Sequence, residues 1–172
     1  MKNKLFMILC MIMFSYSYAQ DANTKKWIKE NNIEAIEQYC RQELFFTYGG
    51  YATGDLFISP IDNKKARNVI PLLQHGASRG NANCQFMLGC ILSGNKTIRE
   101  YDDDYNEVDI PTPKDYKYLD DKKAKLYFNL YLNNPKMDRE RGAFGYSFEQ
   151  IIKLIRNAYP ELIESYDTKK RN

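Results

Sequence analysis

The stretch that decides the fold runs from Leu72 to Gly94 and reads LLQHGASRGNANCQFMLGCILSG. Apolar residues recur every three or four positions on both sides of Gly80, which predicts two amphipathic helices joined by a turn. Glycine suits such a turn because it reaches left-handed backbone angles that other residues avoid. Small residues at Gly76, Ala77 and Gly89 leave room for neighbouring helices to approach closely. The stretch therefore predicts a pair of antiparallel helices.

Two regions before this stretch also show helical spacing. One or two helices are predicted over residues 25–48, with Thr24 as the N-terminal cap, and another helix is predicted to begin at Ser59, which would cap it. Pro71 lies inside this later helix and has no backbone N–H, so we expect a kink or a break near Val69.

The region after the stretch contains a predicted loop and further helices. Residues 99–113 include two prolines and show little periodicity, which predicts a long loop. An amphipathic pattern follows over residues 119–132, with Leu119 on its apolar face. Ser147 and Gln150 have the spacing of a capping box that begins a last helix. No convincing run alternates with period two, so the predicted fold is all-α, built from antiparallel helix pairs.

The N-terminus has the layout of a secretion signal. Lys2 and Lys4 precede ten consecutive apolar residues, Leu5 to Phe14, and the small residues Ser17 and Ala19 follow. As a helix the apolar run would rise about 15 Å, about half the thickness of the hydrocarbon core. We therefore expect cleavage after Ala19, a single mature domain over residues 20–172, no stable membrane span after cleavage, and export to the periplasm or the medium.

The charge of the mature chain is small but unevenly distributed. Removing residues 1–19 takes away two lysines and no acid, which lowers the formal net charge from +3 to +1. A charge this low does not predict nucleic-acid binding. Residues 100–121 carry nine acids and two bases. The sequence thus contains one acidic segment in an otherwise balanced chain.

The mature chain has three cysteines, Cys40, Cys84 and Cys90. In an oxidising compartment two of them could pair. Cys84 and Cys90 are six residues apart on one predicted helix, which separates them by about 9 Å along its axis, so Cys40 is the better partner for either. Three buried free thiols are an equally good expectation.

The stretch Leu72 to Gly94 resembles a Sel-one-like repeat, a relative of the tetratricopeptide repeat. The resemblance rests on an apolar residue near the end of the first helix, a small pair, a turn glycine and a small-x-small-Gln entry to the second helix. These positions are Leu73, Gly76, Ala77, Gly80, Ala82, Cys84, Gln85, Phe86, Leu88 and Gly89. A degenerate second copy begins at Lys123 and lacks the turn glycine.

The resemblance implies a short α-solenoid of tetratricopeptide-like helix pairs, with the helices over 25–48 and 147–166 as caps. Such scaffolds present concave surfaces that bind other proteins. It therefore implies a non-enzymatic interaction module without a cofactor, whose partner is a protein or peptide. One specific version is an immunity-type inhibitor of a secreted toxin. Cysteine-rich family members suggest a different alternative, a protein that binds or hydrolyses cell-wall or β-lactam substrates.

The acidic segment is the surface that the sequence favours for binding. Its tyrosines and acids are typical of contact surfaces, because tyrosine is enriched at interfaces. The predicted binding residues are Tyr101, Asp102, Asp103, Asp104, Tyr105 and Glu107. Tyr116 and Tyr118 either extend this surface or pack beneath the segment.

Patterns for catalysis and metal binding are weak. His75 is the single histidine, so a multi-histidine metal site is not possible. Its imidazole could act as the base for one of the three cysteines, but thiols inside helical packing are usually inert. Asp102, Asp104, Asn106 and Asp109 resemble the start of a calcium loop, but Glu107 replaces the turn glycine. No catalytic residue and no metal ligand is therefore predicted.

Overall fold

The computed structural model describes residues 22–46, 57–58, 62–97, 99–101, 107–109, 111–139 and 147–171. The predicted signal segment lies outside these ranges, as does the glycine-rich segment after Tyr48. Helices dominate the described residues, which confirms the all-α prediction. Two short strand pairs accompany them.

The helices follow one another along the chain with short connections. They are α1 (residues 22–29), α2 (Ile33–Leu44), α3 (Asn63–Ser78), α4 (Ala82–Leu92), α5 (Asp121–Leu132), α6 (Phe148–Ala158) and α7 (Pro160–Arg171). A 3-10 turn, Gly94–Thr97, follows α4. Helix α2 packs against α3, α3 against α4, and α4 against α5. Helix α6 packs on α7 and on the 3-10 turn.

Local capping explains where several helices begin and end. Ser147 and Gln150 form the predicted capping box at the start of α6. Gly80 ends the turn after α3 with a φ of +76°, and the side chain of Asn81 accepts a hydrogen bond from the Cys84 N–H to cap α4. The N-terminal residues of these helices therefore have partners for their otherwise unpaired N–H groups.

Three predicted helix boundaries are wrong. Thr24 lies inside α1 and does not cap it. The helix expected up to residue 48 ends at Leu44, because the next two residues pair as β1 (Phe45–Phe46) with β2 (Phe57–Ile58). Asp62, and not Ser59, caps α3 through a 2.7 Å bond from the Lys65 N–H.

The predicted break at Pro71 does not occur, since α3 is continuous through it. Proline removes one hydrogen-bond donor and crowds the preceding turn. Pro71 lies on the exposed side of α3, where water can satisfy the carbonyl that loses its partner. The core face of the helix therefore keeps its apolar residues in register.

The loop predicted over residues 99–113 is wrong at residues 99–101 and 107–109, which form strands. Strands β3 (Arg99–Tyr101) and β4 (Glu107–Asp109) pair antiparallel, with Glu100 opposite Val108. Strands of three residues are too short to show a clear period-two pattern. The pairing therefore escapes a reading based on periodicity.

A single apolar core runs between the helices. Its largest fully buried side chains include Tyr131, Phe86 and Phe128, and residues from α2 to α7 all contribute to it. Leu119, expected on the apolar face, is instead 48% exposed because it precedes α5 and its cap, Asp120. The core therefore joins the described helices in one cluster.

Candidate functional site

Only two of the six residues of the predicted acidic surface lie in the part of the chain that the structure describes. Tyr101 lies in β3 and Glu107 in β4, so their backbones belong to one strand pair. Asp102, Asp103, Asp104 and Tyr105 lie outside the described residues, as does Asn106 of the calcium-like pattern. The acidic binding surface stays a prediction.

Tyr116 is not part of an exposed contact surface. It is 8% exposed, and its hydroxyl donates a 2.9 Å hydrogen bond to the Ile91 carbonyl at the end of α4. Burial raises its pKa above the usual range, as do the nearby Tyr118 and Asp62. Tyr118 is half-buried, and its ring lies edge-on to Tyr116. Tyr116 and Tyr118 therefore pack against the core, which was the other expectation.

The small residues of the repeat-like stretch lie at the closest helix contacts. A Cβ on Gly76 would meet the Cys84 Sγ at 2.4 Å, and a Cβ on Gly89 would meet the Phe128 ring at 2.7 Å. Neither site has room for a larger residue without movement of its neighbour. Most other residues of the motif are buried, namely Leu73, Ala77, Ala82, Cys84, Gln85, Phe86 and Leu88.

A buried network of side-chain amides joins helices α3 and α4 to the end of α5. The Asn134 side-chain NH₂ donates to the Gln85 Oε1 at 2.8 Å and to the Gly80 carbonyl at 3.1 Å. Its Oδ1 accepts from the Lys136 N–H, and Gln85 in turn donates to the Ala77 carbonyl. Buried amides need such partners, because an unpaired one costs about 1–3 kcal/mol. The network therefore holds the turn and the end of α5 together.

This network forms the base of a cleft of about 400 Å³ between the Gly80 turn and the C-terminal end of α5. Asn129, Leu130, Asn133 and Lys136 line its open side. An Asn133 NH₂ donates to both the carbonyl and the Oδ1 of Asn129, at 2.8 and 3.0 Å. The cleft thus combines an apolar wall, amide groups and one ammonium group.

Exposed leucines continue this surface along α5. Leu126 is 53% exposed and Leu130 is 40% exposed. They are one turn apart, opposite the side on which Ala124 and Phe128 enter the core. Together with Asn129 and Asn133 they form what we call the α5 outer face. Large apolar side chains grouped on an exposed face are typical of protein-binding surfaces.

A second polar cluster surrounds Tyr159, between α6 and α7. Its hydroxyl donates to the Asp121 Oδ1 at 2.7 Å, and the Lys96 ammonium contacts both oxygens of the same carboxylate at 2.6 Å. The ammonium groups of Lys96 and Lys125 lie 5.4 and 5.3 Å from the Tyr159 ring centre. Lys125 also pairs with Glu161. The cluster joins the 3-10 turn, α5 and the start of α7.

The titration of this cluster favours a structural role. Burial, the hydrogen bond to Asp121 and its negative charge raise the pKa of Tyr159, so the phenol stays protonated at neutral pH. Burial alone would raise the pKa of Asp121, but hydrogen bonds from Lys96 and Tyr159 outweigh it and hold that pKa below the usual range. These charges are paired within the cluster.

The lowered pKa of Asp121 predicts a pH dependence of stability. A carboxyl group whose pKa is lower in the folded state adds stability above its unfolded pKa of about 3.9, and this stability is lost as the pH falls through the folded pKa. We therefore expect the melting temperature of Asp121→Asn to differ most from wild type well above about pH 4, and to approach it as the pH falls below the lowered pKa of Asp121. Melting curves followed by circular dichroism at several pH values measure this. An offset independent of pH would contradict the prediction.

Cys40, Cys84 and Cys90 are buried thiols that form no disulfide with one another, as one of the two expectations had it. Burial, with the nearby Glu37 charge, raises the pKa of the Cys84 thiol to about 12. Burial also raises the pKa of Cys40, and Cys84, Glu43 and Glu37 add to the effect. Thiols of this kind are poor nucleophiles, because the reactive species is the thiolate.

We expect slow alkylation of these thiols in the folded protein. The pKa of Cys84 is about 12 instead of the ordinary value of about 9, which lowers its thiolate population at pH 8 roughly a thousandfold. Iodoacetamide labelling read out by peptide mass spectrometry, with and without urea, tests this for each cysteine. Rapid native labelling of Cys84 would contradict the burial of this thiol and its raised pKa.

Comparison with family models, with curated proteins and with solved structures gave no match to this chain. The resemblance to Sel-one-like repeats therefore rests on the residues of the quoted stretch. Among the described helices, none combines the length and apolar character needed to cross a bilayer. Within the described ranges, no three His, Cys, Asp or Glu side chains come together as metal ligands would.

Sequence reasoning missed the cleft and the α5 outer face. The leucines at 126 and 130 are four residues apart and lie outside the apolar stripe of Ala124, Phe128 and Leu132. That second stripe was a usable signal for an exposed apolar face. Asn134 gave no such signal, because its partners Gly80 and Gln85 are about fifty residues away in the chain.

Proposed function

We propose that the protein is an exported, non-enzymatic interaction module built as a short solenoid of Sel-one-like helix pairs. The sequential packing of α2, α3, α4 and α5 supports this arrangement, since each helix in a solenoid contacts its neighbours along the chain. The close approaches at Gly76 and Gly89 support it further, because small residues let successive helices pack tightly. Its partner is another protein.

The observation that carries the proposal is the α5 outer face beside the cleft. Leu126 and Leu130 expose large apolar side chains next to amide groups and the Lys136 ammonium. Exposed apolar area bordered by polar groups is the composition of a protein interface. The polar groups around Asn134 and Tyr159 have a different role, which is structural. Their hydrogen bonds join separate helices.

Site-specific crosslinking tests this proposal in the source organism. The variant Leu130→p-benzoylphenylalanine places a photoreactive group on the α5 outer face of the full chain. The control Gln74→p-benzoylphenylalanine places the same group at an exposed position of α3. We expect one discrete adduct from position 130 that is absent from position 74.

The result would be read from the adduct and from the protein's own N-terminus. A mature mass that begins at Gln20 would support export, since cleavage after Ala19 is expected. Identification of a secreted toxin in the adduct would support the immunity-type version. Equal adducts from both positions, or none from position 130, would overturn the proposed surface.

A further inference from the structure

The α5 outer face carries unused hydrogen-bonding groups in complementary positions. Asn133 donates through its NH₂ to Asn129, so the Asn133 Oδ1 remains an acceptor and the Asn129 NH₂ remains a donor without a partner among the described residues. The two residues are four apart and therefore adjacent on one face of α5. A donor and an acceptor side by side match the N–H and C=O that each residue of an extended peptide presents.

Apolar surface flanks this amide pair. Leu126 and Leu130 lie on the same face of α5, and the cleft next to Leu130 is closed at its base by the Gln85–Asn134 network. The wall is preformed, because that network joins two helices that are far apart in the chain. A side chain of the bound peptide would therefore meet an existing apolar surface, which lowers the ordering cost of binding.

The charge inside the cleft is positive, because the charged residue among those that line it is a lysine. Lys136 lines the cleft, is exposed, and forms no ion pair with a described residue. Arg79, directly before Gly80, and Arg139 are also exposed. Two acids lie nearby and both have interactions of their own. Asp138 has one, and the Glu37 carboxylate accepts hydrogen bonds from the side-chain amides of Asn81 and Asn83. The partner that complements this charge is acidic.

A second copy of the chain fits less well. In a symmetric dimer the same patch meets itself, so Lys136 and Arg79 would approach their own counterparts and repel them. Charge complementarity therefore favours a different molecule over self-association.

We propose that the cleft and the α5 outer face bind an extended, acidic peptide segment of another protein. The amides of Asn129 and Asn133 pair with its main chain, Leu126 and Leu130 contact an apolar side chain, and Lys136 pairs with a carboxylate. This inference rests on the proposed interaction function and specifies its ligand. Hydrogen bonds to the main chain of the peptide give affinity for many sequences. The leucines and Lys136 select which side chains the peptide carries.

The experiment selects peptides with the full chain from a random dodecapeptide phage library. We expect the enriched peptides to be more acidic than the input. Lys136→Glu should reverse this preference towards basic peptides, and it should weaken a fluorescently labelled acidic peptide about fivefold. Asn133→Ala should weaken peptides of either charge. Lys114→Glu, an exposed substitution in the segment between β4 and α5, is the matched charge control and should change nothing.

Three outcomes would overturn the proposal: enrichment of neutral or basic peptides by wild type, an unchanged preference in Lys136→Glu, or no enrichment at all. Self-association seen by sedimentation equilibrium and lost in Leu126→Glu would also overturn it, in favour of a second copy. Crosslinking from position 130 shows whether only the peptide proposal fails or the proposed interaction function fails as well. A specific adduct together with a failed peptide selection leaves the interaction module standing with a different ligand.

Discussion

Replacing Phe128 with alanine is expected to lower the free energy of unfolding by about 3–5 kcal/mol. The side chain is fully buried, and its ring centre lies 6.0 Å from that of Phe86 in α4 and 5.9 Å from that of Tyr159 between α6 and α7. Gly89 faces the ring without a side chain of its own, so this position of α4 cannot fill the space that alanine leaves. The variant should therefore lose a large share of a typical total stability of about 5–15 kcal/mol.

Urea unfolding followed by far-ultraviolet circular dichroism measures this loss. Leu126→Ala is the matched control, because Leu126 lies on the same helix with its side chain 53% exposed. We expect the control to cost less than about 1 kcal/mol. A loss below about 1.5 kcal/mol for Phe128→Ala would show that Phe128 does not join α4, α5 and α6 as the structure has it.

Replacing Gly76 with alanine is expected to destabilise the α3–α4 contact by about 1–3 kcal/mol. The added Cβ would lie 2.4 Å from the Cys84 Sγ and 3.1 Å from the Cys84 Cβ, well inside van der Waals contact. Alanine is the better helix former by about 1 kcal/mol, so a net loss requires the steric term to exceed this gain. Cys84 is buried, which leaves the sulfur little room to move.

A double variant tests the cause. Cys84→Ala removes the sulfur and leaves only the 3.1 Å approach, so Gly76→Ala should cost less in that background than in wild type. Gly80→Ala is a useful comparison, because its Cβ would meet nothing within 4 Å and only the φ of +76° is strained, at about 1–2 kcal/mol. Equal costs of Gly76→Ala in both backgrounds would rule out the Cys84 contact as the origin.

Local signals in the sequence were enough for the helices and for several of their ends. The capping box of Ser147 and Gln150 acts over three residues, so it can be found without any tertiary contact. The close contacts at Gly76 and Gly89 also follow the small residues of the quoted stretch. Such effects depend on neighbours along the chain, so a single sequence reveals them.

The strand pairs, the cleft and the exposed face depended on the tertiary structure. Phe45 pairs with Ile58, and Asn134 bonds to Gln85, across separations for which the chain carries no local pattern. Tyr116 illustrates the same limit, since the sequence left open whether it is exposed or packed beneath the acidic segment, and its hydrogen bond to the Ile91 carbonyl places it in the core. Periodicity and capping act within about one helical turn, whereas the partner of a buried polar group is chosen by how the helices pack. The sequence by itself thus determined the helices, and packing alone decided which residues form the candidate site.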